Sequence, residues 1–187
     1  MKGVVYTQYG SPDALKLQEV AKPTPKNKEI LIKIAATTVN YGDTEARNFK
    51  AISPRECNMP LPFWLMARLF FGLNKPRIQT LGSEFAGEIA AVGKDVQRFA
   101  VGDQVFGYRG QEMGAYAEYL CMPENGVVAI KRANMTYEEA AAVPSGGMTA
   151  LYLLKQVHIQ RGQQVLIRWM LRWPCFSLMQ SISNQNE

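Results

Sequence analysis

The sequence predicts a mainly β, α+β chain: a partly closed β-barrel over Met1–Ile130, then helices and the start of a second unit. Three observations carry this prediction. Leu81–Gly107 (LGSEFAGEIAAVGKDVQRFAVGDQVFG) sets Phe85, Ile89, Val92, Val96, Val101 and Val105 among punctuating glycines. Short apolar runs between turn residues are the pattern of barrel strands. Upstream, Glu29–Val39 (EILIKIAATTV) alternates Ile30, Ile32 and Ile34 with Leu31, Lys33 and Ala35, the period of a strand with one buried face. Downstream, Thr136–Glu139 (TYEE) is a capping box, in which hydroxyl and carboxylate satisfy each other's helix-end donors.

Taken in order, Met1–Val39 reads as β structure interrupted by Lys22–Lys28 (KPTPKNK), where Pro23 and Pro25 exclude regular pairing. In the following VNYGDTEARNF, Asp43 is placed to cap a short helix and Arg47 to pair with it. Residues 50–80 are irregular, with Pro54, Pro60, Pro62 and Pro76, and enclose an apolar run, PFWLMARLFFGL. That run reads as a short helix covering the barrel, as an apolar wall for a hydrophobic substrate, or as an oligomer contact. Gly93 and Gly102 fall where turns call for φ > 0. Glu84, at the start of a strand, needs a partner or a task, because burying an unpaired carboxylate is costly. The helix through EEAAAV is expected to end before Pro144, and a second helix to span Gly147–Val157. Arg161-Gly162 then turns into QQVLI, a short strand with no evident partner.

Composition excludes several function classes. The 187 residues suit one domain, or one and part of another. The 21 basic and 16 acidic residues are scattered without a Lys/Arg run, which argues against nucleic acid as a partner. Cys57, Cys121 and Cys175 lack metal-ligand spacing, and their odd number gives no disulfide framework. MKGVVYTQYG has no apolar leader. The longest apolar stretch, Leu61–Leu73, contains Arg68 and falls short of the ~18 residues of a membrane span. A cytoplasmic chain without a membrane partner is the expectation.

The segments above carry a resemblance. GSEFAGEIAAVGKDVQRFAVGDQVFG followed by GAYAEYL, with TTVNYGD (Thr37–Asp43) and EEAAAVPSGGMTALYLL (Glu138–Leu154), resembles the medium-chain dehydrogenase/reductase superfamily. The match lies on its zinc-independent quinone-oxidoreductase side and runs from Met1 to Ile167. The resemblance implies a GroES-like, substrate-side barrel over residues 1–130. It further implies linking helices and the first strand of a nucleotide-binding domain over 131–167, with a non-family tail at 168–187. Zinc-dependent relatives place a cysteine and a histidine where this chain has Asn40 and Ser83, so the resemblance implies no zinc; the sole histidine, His158, reads as a surface residue. The implied activity is hydride transfer from NADP(H) to a small hydrophobic carbonyl, enone or quinone. Asn40 and Tyr41 would be the catalytic residues, and Tyr41 and Thr149 the cofactor contacts. Asn40 could equally bond the loop backbone, and Thr149 a preceding helix carbonyl. The tyrosine found later in the first loop of quinone oxidoreductases is Glu45 here, which weakens any transfer of quinone specificity.

In that superfamily a glycine-rich loop follows the strand matched by QQVLI and receives the dinucleotide pyrophosphate. Here RWMLRWPCFSLMQSISNQNE follows, and the last glycine is Gly162, so G-x-G-x-x-G is absent. The expectation is a chain that holds no NADP(H) tightly and is inactive alone. Its tail reads as a frameshift product, a truncation or an altered expression sequence, with a divergent C-terminus as the alternative. A non-catalytic GroES-like module, acting by homo-oligomerisation or partner binding, is the competing reading.

Overall fold

A computed structural model describes residues 1–54, 60–157, 160, 162–168 and 179–183. Its centre is an antiparallel five-stranded sheet made of β3 (Glu29–Thr37), β4 (Glu84–Val92), β5 (Gln104–Tyr108), β6 (Tyr119–Pro123) and β7 (Val127–Ile130). The spatial order is β6-β3-β4-β5-β7. A separate hairpin pairs β1 (Lys2–Val5) with β2 (Lys16–Glu19). Among the described residues there are three α-helices: α1 (Tyr41–Arg47), α2 (Leu61–Phe71) and α3 (Tyr137–Gln156). This is the GroES-like half-barrel with flanking helices that the sequence predicted.

The β3–β4 ladder shows how the sequence curls the sheet. Its register slips between Leu31 and Ile32 and again between Ile34 and Ala36. Such bulges bend a strand and increase its local twist. They also spoil simple alternation: Ile30 and Ile32 are fully buried, but Leu31 between them is buried too. On the concave side Ile30, Ile32, Phe85, Ile89, Val105, Leu120, Met122 and Val128 form one apolar cluster.

The glycines differ in what they provide. Gly102 has φ +94°, the turn conformation expected of it. Gly93 does not have positive φ; it is required because a Cβ there would overlap the carbonyl oxygens of Lys26 and Asn27. Gly87 likewise lets the Lys33 carbonyl cross β4 at close range.

Helix α3 departs from expectation. Its Thr136–Glu139 capping box forms with both hydrogen bonds in place, but the helix runs unbroken from Tyr137 to Gln156 through Pro144. Proline removes one helical N–H and normally kinks or ends the helix. Here the next donor, the Ser145 N–H, gives its hydrogen bond to Glu84 Oε1 at 2.8 Å. A sheet carboxylate therefore takes up a donor at the defect, and the helix continues. Small residues make the close approach feasible, since Ala140 and Ala141 pack on Ala86 of β4.

One other expectation changes. QQVLI is not unpartnered, for β8 (Gln164–Arg168) pairs antiparallel with β9 (Met179–Ser183). Trp169, Trp173, Phe176 and His158 lie outside the described residues. Helix α2 forms within the irregular segment and packs only one side inward, through Trp64, Ala67, Arg68 and Phe71. That i, i+3, i+4, i+7 spacing defines one helical face.

Candidate functional site

The site grows from the turn between β3 and α1. Asn40, rather than Asp43, is the N-cap of α1: its Oδ1 accepts from the Asp43 N–H at 3.0 Å, and Asp43 Oδ2 accepts from the Asn40 N–H at 3.2 Å. Reciprocal bonding of this kind fixes the entry angle of a short helix that could not be stable alone. It also points the Asn40 amide nitrogen at β4. Nδ2 donates to Ser83 Oγ at 2.6 Å and to Glu84 Oε2 at 3.2 Å. Both amide protons of Asn40 thus have acceptors, one on each of two consecutive residues.

Glu84 is the hub. Its side chain is buried, 4% exposed, and it accepts from Thr38 Oγ1 at 2.5 Å as well as from Asn40 and the Ser145 N–H. Three donors from β3's exit, the capping turn and α3 therefore converge on one carboxylate. Strand alternation explains the direction: Phe85, Gly87 and Ile89 face the concave core, whereas Glu84 and Ala86 face α3. The sequence flagged Glu84 as needing a partner but could not show that its partners lie 44 to 61 residues away.

Asp43 is buried more completely, at 1% exposure. Tyr116 donates its phenol proton to Asp43 Oδ2 at 3.0 Å. Burial raises the Asp43 carboxyl above the ordinary aspartate range, an effect opposed by hydrogen bonds from the Asn40 backbone, Tyr116, Ser83 and Gly82. Burial also pushes the Tyr116 phenol upward, and the Asp43 charge adds to the shift. The expected Asp43–Arg47 pair is replaced by these contacts; among the described residues the ion pair is Arg109–Glu112.

The three residues singled out from sequence have different surroundings. Asn40 is half-buried and committed to the network. Tyr41, the first residue of α1, is 51% exposed, with its carbonyl accepting from Thr44 Oγ1 at 2.8 Å. Thr149 is half-buried on α3, one turn beyond Ser145 and on the same helical side. Sequence reasoning did not single out Thr38, Ser145 and Tyr116, although each lies inside a matched segment: TTVNYGD, EEAAAVPSGGMTALYLL and GAYAEYL. The described clefts lie elsewhere: one of about 370 Å³ is walled by Met1, Val20, Arg109 and Cys121, and one of about 580 Å³ by Tyr9, Lys50, Lys75 and Gln79. Among the described residues no three His, Cys, Asp or Glu side chains are grouped so as to hold a metal.

Residues 26–132 match the family model of the alcohol dehydrogenase GroES-like domain. The chain is 31% identical to a quinone oxidoreductase of Pseudomonas aeruginosa, over 89% of this chain and 44% of that protein. It is 33% identical to 2-methylene-furan-3-one reductase of Solanum lycopersicum, over 89% of this chain and 40% of the relative. Among solved structures, the quinone oxidoreductase of Coxiella burnetii superposes with TM-score 0.70 at 30% identity, covering 87% of this chain and 47% of that one. The Escherichia coli quinone oxidoreductase complexed with NADPH gives 0.65 at 26% identity, covering 84% and 41%. The chain thus spans less than half the length of these relatives.

Proposed function

From the premise that this chain belongs to the alcohol dehydrogenase GroES-like domain family, among the quinone oxidoreductases of the medium-chain dehydrogenase/reductase superfamily, we propose that it is the substrate-side domain of an NAD(P)H-dependent reductase. The observation that carries the reading is the Asn40–Ser83–Glu84 network, which fixes α1 and presents Tyr41 at the surface beside it. A hydride acceptor such as an activated carbonyl or enone needs a donor aimed at the oxygen that gains charge. We assign that role to the Tyr41 phenol, as the resemblance implies, with Asn40 capping the helix that Tyr41 begins. The bound nicotinamide would supply the hydride. In this reading the nicotinamide side of the cofactor is assigned to Tyr41 and Thr149, as the resemblance implies. No glycine follows Gly162 in this sequence, so the residues given include no G-x-G-x-x-G for the pyrophosphate. The chain by itself is therefore proposed to bind NADPH weakly and to turn over no substrate.

The test joins residues 1–156 to the cofactor half of a quinone oxidoreductase relative and compares the fusion with the 187-residue chain. NADPH fluorescence should saturate at micromolar concentration with the fusion alone, and the fusion should reduce a quinone or enone. Tyr41→Phe should lower kcat with little change in NADPH affinity. A fusion that binds NADPH but reduces none of these acceptors sinks the reading, as does saturable binding with turnover by the unfused chain.

A further inference from the structure

Three separate segments build the cleft of about 580 Å³: Gln8 and Tyr9 after β1, Lys50 after α1, and Asn74, Lys75 and Gln79 after α2. Their backbones are tied to one another. The Tyr6 N–H donates to the Gln79 carbonyl at 2.9 Å, and the Tyr9 phenol donates to the carbonyls of Phe71 and Gly72 at 2.7 and 2.9 Å. Arg68 donates to the Lys50 carbonyl at 3.2 Å, and the Phe49 and Phe71 rings lie 4.9 Å apart. Gly72, at φ +106°, closes the turn that brings Asn74 and Lys75 back, for a Cβ there would overlap the Lys75 carbonyl. A cleft held in this way keeps its shape before anything enters it, which lowers the ordering cost of binding.

The chemistry of the wall is one-sided: lysines and side-chain amides line it, and no carboxylate does. Among the described residues, 46–54 and 60–83 hold Arg47, Lys50, Arg68, Lys75 and Arg77 and no acid. Arg68 and Arg77 direct guanidinium protons at backbone carbonyls. Lys50 and Lys75 are exposed, and among the described residues neither ammonium has a hydrogen-bond or ion-pair partner. A cleft lined by charge of one sign concentrates the field and draws in the opposite ion. The amides of Gln8, Asn74 and Gln79 add donors for an oxyanion and acceptors for hydroxyl groups.

We propose that this cleft binds a small hydrophilic phosphomonoester, with Lys50 and Lys75 on the phosphate and the amides of Gln8, Asn74 and Gln79 on the rest of the molecule. A phosphate of this kind carries a charge of about −1.5 to −2 at neutral pH, which matches two ammoniums where a carboxylate matches one. The cleft falls within the ~300–1,000 Å³ of small-molecule sites, so the phosphate leaves room for the body that carries it. That body is hydrophilic, because polar side chains make up the wall apart from Pro76. The site goes beyond the reductase reading, since none of Asn40, Tyr41 and Thr149 lines it.

The experiment titrates the 187-residue chain with glycerol 3-phosphate and follows its backbone amide NMR shifts, with glycerol, glycerate and phosphatidic acid vesicles as comparisons. Glycerol 3-phosphate should shift the amides of Gln8, Asn74, Lys75 and Gln79 to saturation. Glycerate should bind about tenfold more weakly or less, and glycerol not at all. K50Q/K75Q should weaken glycerol 3-phosphate by about tenfold or more, because hydrogen bonds to a charged group are lost. Both lysines are exposed, so the variant should keep the parent spectrum away from the cleft. K16Q/K94Q, which removes two exposed lysines that do not line the cleft, should change the affinity by less than about twofold. An equal loss in both double variants shows diffuse charge attraction and overturns the proposal. So do equal affinity for glycerate, shifts confined to other residues, and the absence of a saturable shift. Vesicle binding without binding of glycerol 3-phosphate overturns it in favour of a lipid headgroup.

Discussion

Asn40 Nδ2 donates to Ser83 Oγ at 2.6 Å, so the turn after β3 and the start of β4 are joined directly. Truncating Asn40 removes the N-cap and leaves Ser83 and Glu84 short of a donor. Asn40→Ala should cost about 2–4 kcal/mol and Ser83→Ala about 1 kcal/mol. The double variant should fall short of the sum by about 0.5–1.5 kcal/mol, because the two share one bond. Urea denaturation of the three variants measures this; strict additivity would mean that the contact contributes nothing.

Glu84 joins three segments, and its removal should be costlier. Glu84→Ala leaves the donors of Thr38, Asn40 and Ser145 without their acceptor, and about 3–5 kcal/mol is expected. The specific signature is hydrogen exchange at the Ser145 amide, which should accelerate more than its neighbours in α3. If that amide stays protected, Glu84 is not what carries the helix past Pro144.

Asp43 gives a pH dependence with a definite sign. Burial raises its carboxyl pKa in the folded chain, so between the ordinary aspartate value, near ~4, and the raised one the native state binds more protons than the unfolded state. This residue's contribution therefore falls as pH rises through that window and is most favourable below it. Asp43→Asn removes the titration. Whatever the gap between variant and parent at acid pH, it should move in the variant's favour as pH increases. Denaturant unfolding at a series of pH values checks the slope; a gap moving the other way refutes the assignment.

Gly93 and Gly102 should respond differently to alanine. At Gly102 a Cβ meets open space and the cost is the positive φ, about 1 kcal/mol. At Gly93 it strikes two backbone carbonyl oxygens that cannot withdraw without unpairing the β3–β4 corner, and about 3 kcal/mol or more is expected. Equal losses in unfolding experiments would show that both glycines serve only backbone conformation.

The sequence alone determined the local features, because each rests on neighbours within a few residues. The Thr136–Glu139 capping box and the turn at Gly102 are of this kind. So is the absence of a glycine-rich loop after QQVLI, a matter of residue identity. The tertiary structure decided whatever depends on a partner far along the chain. Pro144 read as a helix end because a proline disfavours the helical conformation of the residue before it, a local fact. The acceptor that takes up the next donor, Glu84, stands 61 residues earlier and becomes visible only when α3 lies on β4. Asp43 read as a cap paired with Arg47, yet Tyr116, 73 residues away, supplies the phenol that its buried carboxylate bonds. Gly93 read as a turn glycine, whereas a carbonyl approaching from the β2–β3 loop makes it necessary. At Asp43 and Ser145 a polar group turned inward needs a partner, at Gly93 a close backbone approach excludes a side chain, and in each case the packing of distant segments decides the outcome.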